Sequence, residues 1–219
     1  MKKYIFVGLC LLASVLGAQQ KINSYADYPS ENWVMRKFQN DPLNVRYYTF
    51  KNGLTLITST NKKSPRINTM VAVKTGSKND PSTNTGLAHY LEHMLFKGTD
   101  KYGSYDWSKE KPLLDQIDAL YEQYNSTKDE ALRTAIYHKI DSTSQLAAKF
   151  AIANEFDKMC QAMGAEGTNA FTSNDMTVYV NDVPSNMMDK WLTLESERYR
   201  NPILRLFHTE LEAVYEEKN

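Results

Sequence analysis

A long stretch of helical periodicity separates two groups of strand-like segments, and this order of elements constrains the fold most. From Trp107 to Gly164, apolar residues recur at helical spacing. Three strand-like runs precede it and two follow it: Arg46 to Asn52, Leu54 to Thr58, Ile67 to Lys74, Gly167 to Ser173 and Met176 to Val183. This order predicts an α+β fold, with helices packed on one face of a mainly antiparallel sheet.

The helical stretch divides into a hairpin and a third helix. The hairpin, about Trp107 to Ile152, consists of two predicted helices, and a Thr127-x-x-Glu130 capping-box pattern opens the second. A third helix is predicted near Ile152 to Met163. The charged residues of the hairpin are most simply a solvated face.

The first 18 residues have the pattern of a signal peptide. Lys2 and Lys3 precede an apolar run, Tyr4 to Leu16, and the small residues Gly17 and Ala18 follow it. The run is shorter than the roughly 20 apolar residues that a membrane-spanning helix needs. We therefore predict a secreted or periplasmic protein without a stable membrane span; a retained membrane anchor is the alternative.

The remaining chain is predicted to comprise an N-terminal arm, residues 19–44, and one domain, residues 45–219. The arm is expected to lie across the domain, and regular structure is expected to begin only after the arm. Cys160 is the only cysteine after the signal segment and is interpreted as a small buried side chain. The 26 basic residues balance the 26 acidic ones. Because no net charge would attract a polyanion, we expect no nucleic-acid partner.

The segment GLAHYLEHMLFKGT, from Gly86 to Thr99, carries the clearest chemistry. On a helix, His89, Glu92 and His93 project from one face. Catalytic Zn²⁺ takes three protein ligands and leaves a position for water, so the two histidines would supply two ligands. Glu92 is the candidate general base, and the His-x-x-Glu-His order is the inverzincin signature. A third ligand must come from elsewhere.

A predicted last helix, beginning near Leu206, is rich in acidic residues. It contains Glu210, Glu212, Glu216 and Glu217. Glu210 and Glu217 are seven residues apart and share one helix face. One of them can bind a metal while the other supports it, or the segment is simply an acidic, solvent-exposed helix end.

Three segments in order resemble the pitrilysin family of zinc metallopeptidases, which includes insulin-degrading enzyme and the mitochondrial processing peptidase. They are TGSKNDPSTNTGLAHYLEHMLFKGTDKYG, GTNAFTSNDMTVY and ELEAVYEEKN. The resemblance spans about Val45 to Asn219, apart from the hairpin. It implies one Zn²⁺ ion held by His89, His93 and Glu217, with Glu92 activating the water.

The same resemblance gives roles to further residues. Glu210 matches an acidic residue that orients a ligand and supports catalysis, and Glu216 is the nearest competitor of Glu217. Asn169, Ala170 and Phe171 match the family's substrate-binding edge strand, to which an extended peptide adds through backbone hydrogen bonds.

The spacing between the motifs departs from the family pattern. Glu217 lies 124 residues after His93 (217 minus 93), which is longer than usual, and the hairpin accounts for the excess. Long insertions that close a surface loop cost little extra entropy, so the insert need not disturb the site.

The resemblance further implies that the chain is the incomplete first domain of a clamshell-type peptidase. Remaining domains of the same chain, or a partner subunit, would complete the substrate chamber. We therefore expect a zinc-dependent endopeptidase acting on extended peptides or unfolded segments, and we expect the 219-residue piece alone to be inactive or weakly active. The alternatives are a non-catalytic peptide-binding protein and a structural subunit of an envelope complex.

Overall fold

The computed structural model describes residues 24–218, so the predicted signal peptide lies outside the described residues. The chain divides into two compact units after Lys63, rather than at the boundary before Val45 that the sequence suggested. Within residues 24–218, we find no helix that is both long enough and apolar enough to cross a membrane.

The first unit contains a four-stranded antiparallel sheet in which each strand pairs with the next. Its strands are β1 (Tyr25–Pro29), β2 (Trp33–Phe38), β3 (Arg46–Phe50) and β4 (Thr55–Thr58). Gly53 turns the chain between β3 and β4 with a φ of 90°, as the Asn52-Gly53 pair predicted.

The prediction that regular structure begins only after residue 44 is wrong, because β1 and β2 precede it. Contacts between strands stabilise this region, and its sequence shows no clear alternation. The rings of Trp33 and Tyr48 meet at 5.3 Å across β2 and β3, and Arg36 pairs with Asp27 at 2.8 Å across β1 and β2. Such cross-strand pairs stabilise a sheet whatever the periodicity.

The second unit is built on a three-stranded antiparallel sheet in the order β5-β7-β6. The strands are β5 (Arg66–Val73), β6 (Glu166–Thr172) and β7 (Thr177–Pro184). The helices are α1 (Leu87–Met94), α2 (Trp107–Ser126), α3 (Glu130–Ala148), α4 (Glu155–Ala162), α5 (Met188–Arg200) and α6 (Phe207–Lys218), with short 3₁₀ turns at Ser77–Asn79 and Ser185–Met187. Strands from both sides of the helical stretch therefore share one sheet.

Helices cover one face of this sheet, which confirms the predicted α+β class. Val183 of β7 packs in one cluster with Phe156 and Cys160 of α4 and with Trp191 of α5. Cys160 is fully buried, and its burial raises the pKa of its thiol to about 11, so it behaves as an inert apolar group. On the opposite face, Met70 of β5 is 74% exposed.

The predicted helical hairpin is also confirmed. Helices α2 and α3 enclose their own core, made by Ile117, Leu120, Ile136, Ile140 and Ala147. The cap of α3 differs from the prediction: Asp129, not Thr127, accepts a hydrogen bond from the Leu132 N–H at 3.0 Å. Thr127 instead ends α2 in an extended conformation.

Candidate metal centre and active site

Helix α1, which carries the His-x-x-Glu-His motif, begins at a tight backbone turn. Its N-cap is Gly86, with a φ of 96°. The carboxylate of Asp80 accepts hydrogen bonds from the N–H groups of Gly86, at 2.7 Å, and Ala88, at 2.9 Å. The carboxylate oxygens of Asp80 accept hydrogen bonds from N–H groups that have no partner within the helix, and their negative charge complements the helix dipole. Asp80 therefore fixes where the motif helix starts.

Three side-chain atoms converge beside α1. His89 Nε2 lies 3.3 Å from His93 Nε2, and each nitrogen lies 3.4 Å from Oε2 of Glu217. Among the residues that the structure describes, His89, His93 and Glu217 are the three potential metal ligands that lie close enough together to hold one ion. Glu216, the competitor of Glu217 in the sequence, is not part of this group. The histidines are neighbours because they are four residues apart on one helix, whereas Glu217 is brought in by α6.

The triangle formed by His89 Nε2, His93 Nε2 and Glu217 Oε2 has the size expected around a small ion with tetrahedral coordination. Zinc–ligand bonds of about 2.0–2.1 Å at tetrahedral angles place ligand atoms about 3.3–3.4 Å apart, which matches all three separations. The side chains of His89 and Glu217 are 32% and 55% exposed, so water can reach the centre of the triangle. The donor set of two imidazoles and one carboxylate therefore fits a catalytic type of zinc site.

Glu210 supports the triangle from behind His93. Its Oε2 lies 3.3 Å from His93 Nδ1, and its Oε1 lies 2.5 Å from Nζ of Lys97. Since an ionised carboxylate can only accept, Nδ1 must carry the imidazole proton, which leaves the Nε2 lone pair free for a metal. Lys97 was not singled out in the sequence, where it is one of many lysines.

Glu92 is held on the sheet side of α1. It is only 6% exposed, and Oε2 accepts a hydrogen bond from the Thr172 hydroxyl at 2.5 Å. This contact fixes the candidate base to β6. Sequence reasoning missed Thr172, although it directly follows the proposed substrate residues; two-residue alternation places it on the same face of β6 as Ala170.

The strand that carries the proposed substrate residues lies at the edge of its sheet. Among residues 24–218, β6 pairs with β7 only, with a register shift between Glu166 and Asn169. Asn169 and Phe171 are exposed, and Ala170 is half-buried. The outer edge of β6 therefore offers backbone groups to an added strand.

Part of the chain is similar to known peptidases. Residues 55–111 match the model of the insulinase family, peptidase family M16. Over these residues the chain is similar to M16 peptidases. This confirms the resemblance to pitrilysin-like peptidases drawn from the sequence, and the matched residues include the whole of α1.

Individual relatives match part of the chain's sequence or the wider fold. An insulin-degrading enzyme homolog of Dictyostelium discoideum is 38% identical over 63 residues, which cover 29% of this chain and 6% of that protein. The structure of a protease from Helicobacter pylori aligns with a TM-score of 0.51 and 26% identity, over 78% of this chain and 30% of that one. Pitrilysin itself aligns with a TM-score of 0.50 and 18% identity, over 86% of this chain and 14% of that one, which supports the fold alone. The chain thus spans a minor part of each of these proteins.

Proposed function

We propose that this chain is the zinc-bearing part of an endopeptidase that hydrolyses extended peptides or unfolded segments. The observation that carries the proposal is the convergence of His89, His93 and Glu217 beside a buried Glu92 on the motif helix. The M16 match over the same helix supports it. Export from the cytoplasm remains part of the proposal and rests on the signal-like first 18 residues.

In this proposal His89 and His93 bind one Zn²⁺ through Nε2, and Glu217 binds it through Oε2. When bound, Zn²⁺ would lower the pKa of a water ligand to about 7 and polarise the scissile carbonyl. Glu210 keeps the proton of His93 on Nδ1, so that imidazole stays oriented for binding.

Glu92 then acts as the proton carrier. The Thr172 hydroxyl occupies Oε2 of Glu92, so Oε1 takes the proton from the attacking water and later delivers it to the leaving amine. The substrate backbone pairs with the outer edge of β6 at Asn169 to Phe171, which positions a peptide of any side-chain sequence. Remaining domains or a partner subunit would close the other side of the chamber.

Zinc binding by single variants of the chain tests the ligand assignment. We expect Glu217→Ala to weaken Zn²⁺ binding by at least about 100-fold, because it removes one of three ligands. Glu216→Ala is the matched control, since it removes the neighbouring carboxylate, and should leave affinity within about twofold. Competition against a chromogenic chelator measures both. Equal losses in the two variants, or a loss in Glu216→Ala alone, would reject Glu217 as the ligand.

A further inference from the structure

The helical hairpin contacts the segment that leads into α6 at a buried ion pair. Arg205 Nε lies 2.9 Å from both carboxylate oxygens of Glu110 in α2, and both side chains are 1% exposed. The same guanidinium donates to the carbonyl oxygens of Lys97, at 3.2 Å, and Thr99, at 2.6 Å. Arg205 therefore joins α2, the loop after α1 and the chain just before α6.

A second contact lies further along the same face of α2. Tyr121 follows Glu110 by eleven residues, about three helical turns, so both side chains face the same way. The Tyr121 ring lies 5.7 Å from the Phe207 ring, and its hydroxyl is 3.1 Å from His208 Nε2. Burial raises the pKa of Tyr121 to about 12, so this hydroxyl keeps its proton at neutral pH.

Phe207 connects this contact to the motif helix. Its carbonyl oxygen accepts a hydrogen bond from the Tyr90 hydroxyl at 2.9 Å, and the two rings lie 5.2 Å apart. Tyr90 is the residue after His89 on α1. The first turn of α6 is thus held between α1 and α2.

Further ring contacts link the hairpin to this segment: the Tyr137 ring of α3 lies 6.1 Å from the His208 ring, and the Arg205 guanidinium lies 5.3 Å from the centre of the Trp107 ring. A groove of about 520 Å³ lies between the hairpin and this segment, lined by both helices of the hairpin and by residues around 202–209. Because the groove separates parts of the two surfaces, the contacts of Glu110 and Tyr121 contribute strongly to their relative position. Single substitutions there should therefore have visible effects.

Three contacts set the axis of α6. Val214 packs against Tyr90 and Met94 of α1, Glu210 pairs with Lys97, and the first turn lies between Tyr90 and Tyr121. If the Tyr121 contact is lost, the first turn is held on one side only, and α6 can tilt about Val214. Glu217 is three residues, about 4.5 Å, beyond that pivot, so a 10° rotation moves it by about 0.8 Å. Metal–ligand distances tolerate only about 0.2 Å.

We infer that α2 of the hairpin is a brace that positions Glu217, with Tyr121 as the positioning residue. The inference rests on the proposed zinc site. It gives the hairpin a role within the chain, whereas the sequence indicated only that the insert need not disturb the site. It also explains why α2 presents Glu110 and Tyr121 on one face.

A double-mutant cycle on Zn²⁺ affinity tests the brace in the chain itself. Tyr121→Ala is expected to weaken Zn²⁺ binding by about tenfold, within the range known for groups that orient metal ligands. Tyr124→Ala is the matched control, since Tyr124 contacts Arg133 and Tyr137 inside the hairpin, and affinity should change less than twofold. Tyr121→Leu, which keeps apolar bulk, provides a milder variant if the alanine form does not fold by circular dichroism.

The cycle distinguishes positioning from a general loss of stability. In a Glu217→Ala background, Tyr121→Ala should have little further effect, because the ligand that it positions is already gone. A full tenfold loss in that background, or no loss in a folded Tyr121 variant of the otherwise unchanged chain, would overturn the brace while leaving the zinc site intact. Absence of Zn²⁺ binding in the unmodified chain would overturn both proposals.

Discussion

Glu92→Gln is expected to lower kcat for peptide hydrolysis by about 10²–10⁴-fold in the full-length protein, with Zn²⁺ still bound. Glutamine has the shape of glutamate and can still accept the Thr172 hydrogen bond through its amide oxygen. It cannot accept a proton from water at neutral pH. The loss should therefore fall on kcat, with KM and metal content close to those of the unmodified protein.

Glu212→Gln is a suitable control for this experiment. Glu212 is an exposed glutamate of α6 that takes no part in the triangle. Metal content is measured by atomic absorption on the samples used for kinetics. It distinguishes activity lost with the general base from activity lost with the zinc ion. A zinc-loaded Glu92→Gln protein that cleaves peptides as fast as the unmodified one would remove Glu92 from the mechanism.

Arg205→Met should destabilise the second unit by about 3–5 kcal/mol, the range for breaking one side of a buried ion pair. The Glu110 carboxylate is 1% exposed and would be left without its partner. The carbonyls of Lys97 and Thr99 would lose a donor as well. The positive φ of Gly98, 101°, belongs to the loop that wraps this guanidinium, and a Cβ there would lie 3.0 Å from Arg205 Nη1.

Chemical denaturation of three variants measures this effect. Arg205→Met combined with Glu110→Leu should recover part of the loss, because removing both charges leaves no unpaired group. Lys111→Met, which removes one side of the exposed Lys111–Asp115 pair on the same helix, should change stability little. If Arg205→Met were no more destabilising than Lys111→Met, the pair would not hold the segment before α6.

Local patterns in the sequence predicted most of the second unit. The hairpin and the two strands after it follow from short-range periodicity. In the first unit, the turn at Asn52-Gly53 follows from local turn chemistry. The strands β1 and β2 escaped prediction because pairs such as Trp33 with Tyr48 form between segments, where no single run shows alternation. Pairing of β5 with β7 likewise joins residues more than a hundred positions apart.

In the candidate site, too, some residues could be predicted from local patterns and others could not. His89, Glu92 and His93 share one helix face, so their proximity could be predicted from helical geometry alone. The position of Glu217 depended on the family resemblance, since nothing local tells an acidic helix end from a ligand. Thr172 and Lys97 reach the site only through tertiary packing of β6 and α6 against α1.

Metal removal and return in the full-length protein tests the central claim most directly. Hydrolysis of an unstructured peptide should stop when a chelator removes zinc and should return with one equivalent of Zn²⁺ per chain. Glu217→Ala, assayed in parallel, should need far more Zn²⁺ to recover any activity. Hydrolysis that persists in the metal-free protein, or a zinc-loaded protein that binds peptides without cleaving them, would contradict the account.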